Sequence, residues 1–291
     1  MGAIRTPDEV LDGLPDFPFA PHYRQAGELR LAHVDEGDGP PVVFFHGEPT
    51  WSFLWRTVIP PVRAAGYRCI APDCAGFGRS DKPVDLGWYS YERHVALAAD
   101  LLEELDLRDA TVVAHDWGGP IGLRLAAEHP DRIARLVVMD TGLWTGEQRM
   151  TEAWQAFRAF VERTEDLPVG LLVRRACHTD PGDAVAAAYD APFPSAAAKA
   201  GARAFPLMLP TVPGTPGGMA QQRVLDALAD DRRPTLVLWA DADPILPPQA
   251  GERFASALGA APPRYVGDSG HFLQEDAGPE LGRAIADWLR A

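Results

Sequence analysis

The chain has 291 residues, 46% of them hydrophobic, with 27 basic against 41 acidic residues and a formal net charge of −14. That length and apolar content suffice for one large α/β domain with room for an inserted subdomain. The acidic residues are scattered rather than clustered, which describes a solvated surface and excludes nucleic acid and an anionic membrane face as partners.

The N-terminus carries Met1-Gly2 followed by Thr6, a loose N-myristoylation pattern without the basic patch or second anchor that stable membrane attachment needs. It lacks the apolar core of a signal peptide, and no apolar run approaches the ~20 residues of a membrane span. The three cysteines, Cys69, Cys74 and Cys177, have neither metal-ligand spacing nor the look of a disulfide framework. A cytoplasmic location is the expectation.

Apolar runs predict strands at 30–34, 42–45 and 68–71, with a helix at 53–65 between the last two. A helix at 90–105, a strand at 111–115, a helix at 118–129 and a strand at 135–139 continue the alternation, which is the pattern of an α/β fold with a mostly parallel sheet flanked by helices. The alternation then stops. From 141 to about 220 there are helical stretches at 151–163, 168–176 and 183–189, followed by a Pro/Gly-rich tract from Pro206 to Gly218. Strands resume at 235–240 and 263–266, and a helix at 276–290 ends the chain. The expected organisation is a main domain of 1–140 and 221–291 and an inserted helical cap of 141–220. Such a cap closes over a site and excludes water.

The strand at 111–115 leads into His115-Asp116-Trp117-Gly118-Gly119 and then a helix. Strand, sharp turn and helix make the nucleophile elbow of α/β-hydrolases, in which small residues two positions either side of the nucleophile relieve crowding; Ala114 and Gly118 stand there. The nucleophile position holds Asp116 where many hydrolases have serine. A carboxylate attacks carbon directly and forms an ester, which points to displacement of a leaving group or to ring opening.

The partners follow in chain order: nucleophile, acid, histidine. His271, in Asp268-Ser269-Gly270-His271-Phe272, is the only one of eight histidines after residue 178 and follows the last predicted strand. The acid lies in Asp241-Ala242-Asp243-Pro244 or at Asp140; Asp243 precedes proline, which favours an extended turn and a fixed side-chain direction. Oxyanion donors are expected from the backbone N–H of Trp117 and from the loop His46-Gly47-Glu48-Pro49, with Glu48 as the donor residue. A carboxylate at Glu48 must be hydrogen-bonded, protonated or turned away from a reactive anion. The Trp117 indole N–H, a donor with no competing acceptor on an apolar ring, suits a halide in a dry pocket. The Gly76-Phe77-Gly78-Arg79-Ser80 loop lacks the lysine and full glycine pattern of a phosphate loop.

Taken together, His46-Gly47-Glu48-Pro49-Thr50-Trp51, Gly76 through Pro83, Asp116-Trp117-Gly118-Gly119, Ala191-Pro192-Phe193-Pro194, Asp243-Pro244 and Gly270-His271-Phe272-Leu273-Gln274-Glu275 resemble the haloalkane dehalogenases over nearly the whole chain. Glu48 after His-Gly and an acid after the strand 235–240 are similar to the subfamily with two halide-binding tryptophans. The resemblance implies Asp116 as nucleophile, His271 as base and Asp243 as its orienter. It further implies Trp117 as first halide donor, no cofactor or metal, and a small hydrophobic halogenated substrate with water as co-substrate. A monomer is expected. The second tryptophan belongs on the cap. Cys177 occupies the place it has in one relative, so Trp154, three residues from Phe157 on one helical face, is the expected second donor.

His115 stands where dehalogenases often have glutamine, and a His-Asp-Trp-Gly elbow is frequent in epoxide hydrolases. That reaction needs a proton donor for the alkoxide, usually a pair of cap tyrosines, and 141–220 contains only Tyr189. A β-lactone hydrolase with the same machinery, or a non-catalytic ligand receptor, are the remaining alternatives.

Overall fold

Val42-Val43-Phe44-Phe45 and Thr111-Val112-Val113-Ala114 are buried throughout, as strands covered on both faces must be. They stand at the centre of an eight-stranded sheet in the computed structural model, which describes residues 2–291. Met1, part of the N-terminal pattern, lies outside the described residues.

The sheet strands are β1 (Pro21–Ala26), β2 (Leu29–Glu36), β3 (Pro41–Phe45), β4 (Arg68–Pro72), β5 (Ala110–His115), β6 (Ile133–Met139), β7 (Thr235–Ala240) and β8 (Arg264–Val266). Their spatial order is β8-β7-β6-β5-β3-β4-β2-β1. From β4 through β8 the pairings are parallel, and β2 pairs antiparallel with both β4 and β1. The chain reverses beside β3, between β4 and β5, and ligands in such sheets bind outside the carboxyl ends of the strands at that point. Strand β1 escaped the sequence reading because it is an edge strand of mixed polarity, Pro-His-Tyr-Arg-Gln-Ala, with one fully buried residue.

The predicted helix 53–65 is two pieces, a 3₁₀ turn at Ser52–Trp55 and α1 at Ile59–Ala64. Pro60 and Pro61 stand in the first turn of α1, where missing N–H groups cost nothing, and they prevent one continuous helix. Helices α2 (Tyr91–Glu104) and α3 (Gly118–Glu128) follow, and Ser90 caps α2 by accepting from the Arg93 N–H.

After β6 the chain makes α4 (Glu152–Arg163), α5 (Val169–Ala176), α6 (Asp183–Asp190) and α7 (Ala200–Met208) before α8 (Pro216–Ala229). The Pro/Gly-rich tract thus contains the end of one helix and the start of the next: Pro206 lies inside α7, while Thr215 and Pro216 form the cap and first position of α8. The boundary expected at 220 falls inside α8, which packs against α3. Helix α9 (Pro248–Ala257) lies between β7 and β8 and was not read from the sequence. The final helix, α10 (Leu273–Arg290), kinks at Ala277, two residues before Pro279, and packs on α1. No helix among the described residues is long and apolar enough to cross a membrane.

Candidate active site

Asp116 joins β5 to α3 with φ of +48°, a left-handed conformation that costs a non-glycine residue about 1 kcal/mol. Neighbouring hydrogen bonds hold it there. Its carbonyl accepts from the Thr141 hydroxyl at 2.5 Å and the Gly119 N–H at 2.9 Å, and its N–H donates to Asp140 O at 3.3 Å. The turn is tight enough that a Cβ at Gly118 would lie 2.1 Å from the Phe45 carbonyl, and one at Gly47 2.2 Å from Asp116 Oδ1. The small residues of the elbow therefore admit the Asp116 side chain and its neighbouring loop.

The Glu48 N–H donates to Asp116 Oδ1 at 2.8 Å, and the Trp117 N–H also bonds the carboxylate. The two expected oxyanion donors converge on one side chain. His271 Nε2 lies 3.7 Å from Asp116 Oδ2, and its Nδ1 donates to Asp243 Oδ2 at 2.7 Å. The other Asp243 oxygen accepts the Ile245 N–H at 2.7 Å, a turn two residues ahead that fixes the carboxylate. Asp241 is exposed and instead accepts the Ser269 N–H at 3.2 Å, so it shapes the loop before the histidine.

Asp140 is fully buried, with both oxygens 3.2 Å from the Ala240 N–H. Burial first, and the charge of Asp243 second, push its carboxyl well above the usual range, and it hydrogen-bonds Asp243. Two buried carboxyls in contact share one charge. Asp140 is the neutral acid that donates to Asp243, a partner rather than a rival.

Burial opposes charge on His271, but Asp243 and Asp116 outweigh it and hold the imidazolium well above its ordinary pKa. Burial likewise opposes charge on Asp116, but the hydrogen bond and charge of His271 keep it ionised. Glu48 is pushed well up by burial and then by Asp116, and its Oε1 has no partner. It is a neutral acid, which removes a second negative charge from beside Asp116. His115, lowered by burial and His271 to about 3, is neutral and donates from Nε2 to the His271 carbonyl at 2.8 Å. A glutamine amide could make the same bond, so the departure at this position preserves the contact.

The triad opens into a cavity of about 110 Å³ whose wall includes Glu48, Trp117, Trp154, Phe157, Ile245 and Phe272. Thr151 caps α4 by accepting the Trp154 N–H at 3.2 Å and donates its hydroxyl to Ile245 O at 3.2 Å, which ties the start of α4 to the loop after β7. Neither the Trp117 nor the Trp154 indole N–H meets a protein acceptor among the described residues. Trp144 lines a separate groove. Cys177 caps α5 with its thiol on the Val173 carbonyl and leaves the wall to Ala176. Leu172, Ala176, Pro206 and Ile245 were missed by sequence reasoning; only Ile245, beside Asp243-Pro244, carried a local signal. No group of three or more His, Cys, Asp or Glu able to hold a metal occurs among the described residues.

A sequence model of the alpha/beta hydrolase fold matches residues 40–278. The chain is 44% identical to a haloalkane dehalogenase of Mycolicibacterium paratuberculosis, across 100% of this chain and 99% of that one. It is 46% identical to haloalkane dehalogenase 1 of Mycobacterium tuberculosis over the full length of both. Among solved structures, a tetrameric haloalkane dehalogenase from Paraglaciecola agarilytica superposes with a TM-score of 0.91 at 36% identity, covering 98% of this chain and 97% of that one. A haloalkane dehalogenase from Bradyrhizobium elkani gives 0.80 at 27% identity, covering 94% and 98%.

Proposed function

We propose that this chain, which belongs to the haloalkane dehalogenase family, works through an alkyl ester formed on Asp116. It hydrolyses haloalkanes to an alcohol and a halide. The observation that carries the mechanistic reading is the carboxylate of Asp116 with one oxygen held by the Glu48 N–H at 2.8 Å and the other facing His271 at 3.7 Å.

Oδ2 attacks the halogenated sp³ carbon in line, and the carbon–halogen bond breaks with its electron pair on the halide. The halide takes hydrogen bonds from the Trp117 and Trp154 indoles and needs no proton. Ester formation removes the charge of Asp116, one of the two anions holding the His271 imidazolium. Its pKa falls, the proton leaves to solvent, and the neutral ring becomes a base. His271, oriented by Asp243, then takes a proton from water as its oxygen adds to the ester carbon. The oxyanion develops on Oδ1 against the N–H groups of Glu48 and Trp117. Collapse releases the alcohol with one proton and restores the Asp116 carboxylate and the imidazolium.

The segment 141–220 acts as a cap in this reading, supported by the cavity wall it contributes through Trp154, Phe157 and Pro206. The hydroxyl of Tyr189 donates to Glu275 and is fully buried, which argues against its serving as the acid of an epoxide opening. A cytoplasmic monomer completes the proposal. It is supported by three unpaired cysteines and by exposed large hydrophobics, such as Val10, Leu171 and Met219, that come from separate elements. Light scattering tests the monomer against a tetramer like that of the Paraglaciecola enzyme.

Turnover in ¹⁸O-water tests the mechanism. The first alcohol released should carry unlabelled oxygen from Asp116, and the peptide containing Asp116 should gain one labelled oxygen in that same turnover. Label in the first alcohol and none in the peptide would mean that water attacks the substrate directly.

A further inference from the structure

Two adjacent carboxylates in the first turn of α10 hold the cap segment. Glu275 takes a bidentate bond from Arg56, 2.6 Å to each oxygen, and the hydroxyl of Tyr189 on α6. Asp276 is more unusual. Its Oδ2 accepts the Gly270 N–H at 2.9 Å and the His178 N–H at 2.9 Å, and its Oδ1 accepts the Thr179 N–H at 2.7 Å. Gly270 precedes the base, His271. His178 and Thr179 follow α5, whose Ala176 and Leu172 form the cavity wall.

One carboxylate therefore joins the backbone of the base loop to the backbone behind the cavity wall. The two strands of chain touch with no side chain between them: a Cβ on Gly270 would lie 2.3 Å from the Ala176 carbonyl and 2.9 Å from the His178 nitrogen. This junction lies between the loop that carries His271 and the α5 side of the cavity wall. A carboxylate alone among side chains of this size accepts on both ends; an amide turns a donor toward at least one of the N–H groups.

We propose that Asp276 is a positioning residue that sets where His271 stands relative to the cap wall and thereby governs ester hydrolysis rather than ester formation. The inference rests on the alkyl-ester reading above. Halide leaves without a proton, so the first step places no demand on the His271 lone pair. The second step requires Nε2 to meet a water held between the ester and the cavity wall, and a misplacement of about 1 Å there costs on the order of a hundredfold.

The experiment mixes wild type, Asp276→Asn, Asp276→Glu and His271→Phe with 1-bromobutane. It follows the bromide burst and the intact mass of the quenched protein. The burst amplitude counts folded, reactive sites, so a partly unfolded variant still yields rates per site. Asp276→Asn should alkylate within about threefold of wild type but hydrolyse roughly ten- to a hundredfold more slowly, so that the alkylated mass accumulates. Asp276→Glu, which keeps the charge and both acceptors, should recover part of the hydrolysis rate. A purely structural role would lower the burst amplitude and leave both rates per site unchanged, and that result overturns the proposal, as does an equal loss in both steps. Absence of any adduct in both Asp276→Asn and His271→Phe would instead overturn the ester reading, and this proposal with it.

Discussion

The two sides of the cavity are built on different physics. On the main-domain side every group of the proposed mechanism is fixed by hydrogen bonds: Asp116 by two N–H groups, His271 by Asp243 and through its carbonyl by His115, and Asp243 by the Ile245 N–H. On the cap side, Trp154, Phe157, Leu172, Ala176 and Pro206 present mostly apolar surface, and the one side chain there that the proposed mechanism uses is the Trp154 indole. Hydrogen bonds are directional and fail steeply when a partner moves, whereas apolar contacts tolerate exchange at similar volume. The chemistry should therefore respond to substitution in a stepwise way and the substrate wall in a graded one.

The sharpest test is on the rigid side. Asp116→Ala should lower halide release on the order of a million-fold, the size of losing a covalent nucleophile. The variant should melt close to wild type, because the left-handed turn is held by backbone and Thr141 contacts that alanine leaves in place. Activity near the wild-type rate would break the assignment.

His271→Phe comes next and separates the two steps. Alkylation should continue while hydrolysis falls roughly a hundred- to ten-thousandfold, the usual contribution of a general base. Intact-protein mass spectrometry should show a stable adduct on Asp116. Wild-type hydrolysis should rise with pH through the His271 pKa of the ester. That pKa lies below the strongly raised value of the free enzyme, because esterification has removed one of its two anionic partners. A hydrolysis rate independent of pH would argue against the imidazole as base.

The halide donors, Trp117 at the elbow and Trp154 on the cap, should give smaller numbers. Trp117→Phe and Trp154→Phe each keep the ring and delete the N–H, and each should cost about 1–2 kcal/mol in dehalogenation, the scale of one charged hydrogen bond. Chloride should suffer more than iodide, because the smaller ion gains more from a donor. Bromide quenching of tryptophan fluorescence reads the binding directly. A Trp154→Phe enzyme that binds bromide and dechlorinates as wild type does would make Trp154 a packing residue and leave the halide with one indole.

The same contrast explains what could be read without coordinates. The elbow, the oxyanion loop and the base loop were legible because each needs particular residue types at fixed spacing around a backbone turn. The helices at 90–105 and 118–129 were legible by period, and their ends fall within a residue of α2 and α3. Edge strand β1 was not, since half-exposed residues leave no apolar run. Nor was the break before α1, where two prolines mark a helix start as readily as a stop. Leu172 and Ala176 were not legible because they join the site through contacts distant in sequence: the chain at the end of α5 meets Asp276 and Gly270, nearly a hundred residues away. Asp140 was legible as a rival for the acid that orients His271 but not as a proton donor, because that role depends on its contact with Asp243.

Asp140→Asn should have the smallest effect and tests the rigid side most finely. If Asp140 is a neutral acid, asparagine reproduces its two contacts, accepting from the Ala240 N–H and donating to Asp243, so turnover should stay within about threefold of wild type. Stability carries the clearer signal. The native carboxyl keeps a proton that the unfolded chain, with an aspartate pKa of about 3.9, releases. The native state then binds more protons than the unfolded state, so this group's contribution is present in acid and is lost as pH rises toward the native pKa. His271 and Glu48 have the same sign, but both proteins contain them and they drop out of the difference. The stability of Asp140→Asn relative to wild type should therefore climb as pH is raised from 4, by no more than about 1.4 kcal/mol per unit, and level off above the native pKa. Urea unfolding at pH 5, 7 and 9 measures it. Parallel stability curves would mean that Asp140 ionises normally and is not the proton donor to Asp243.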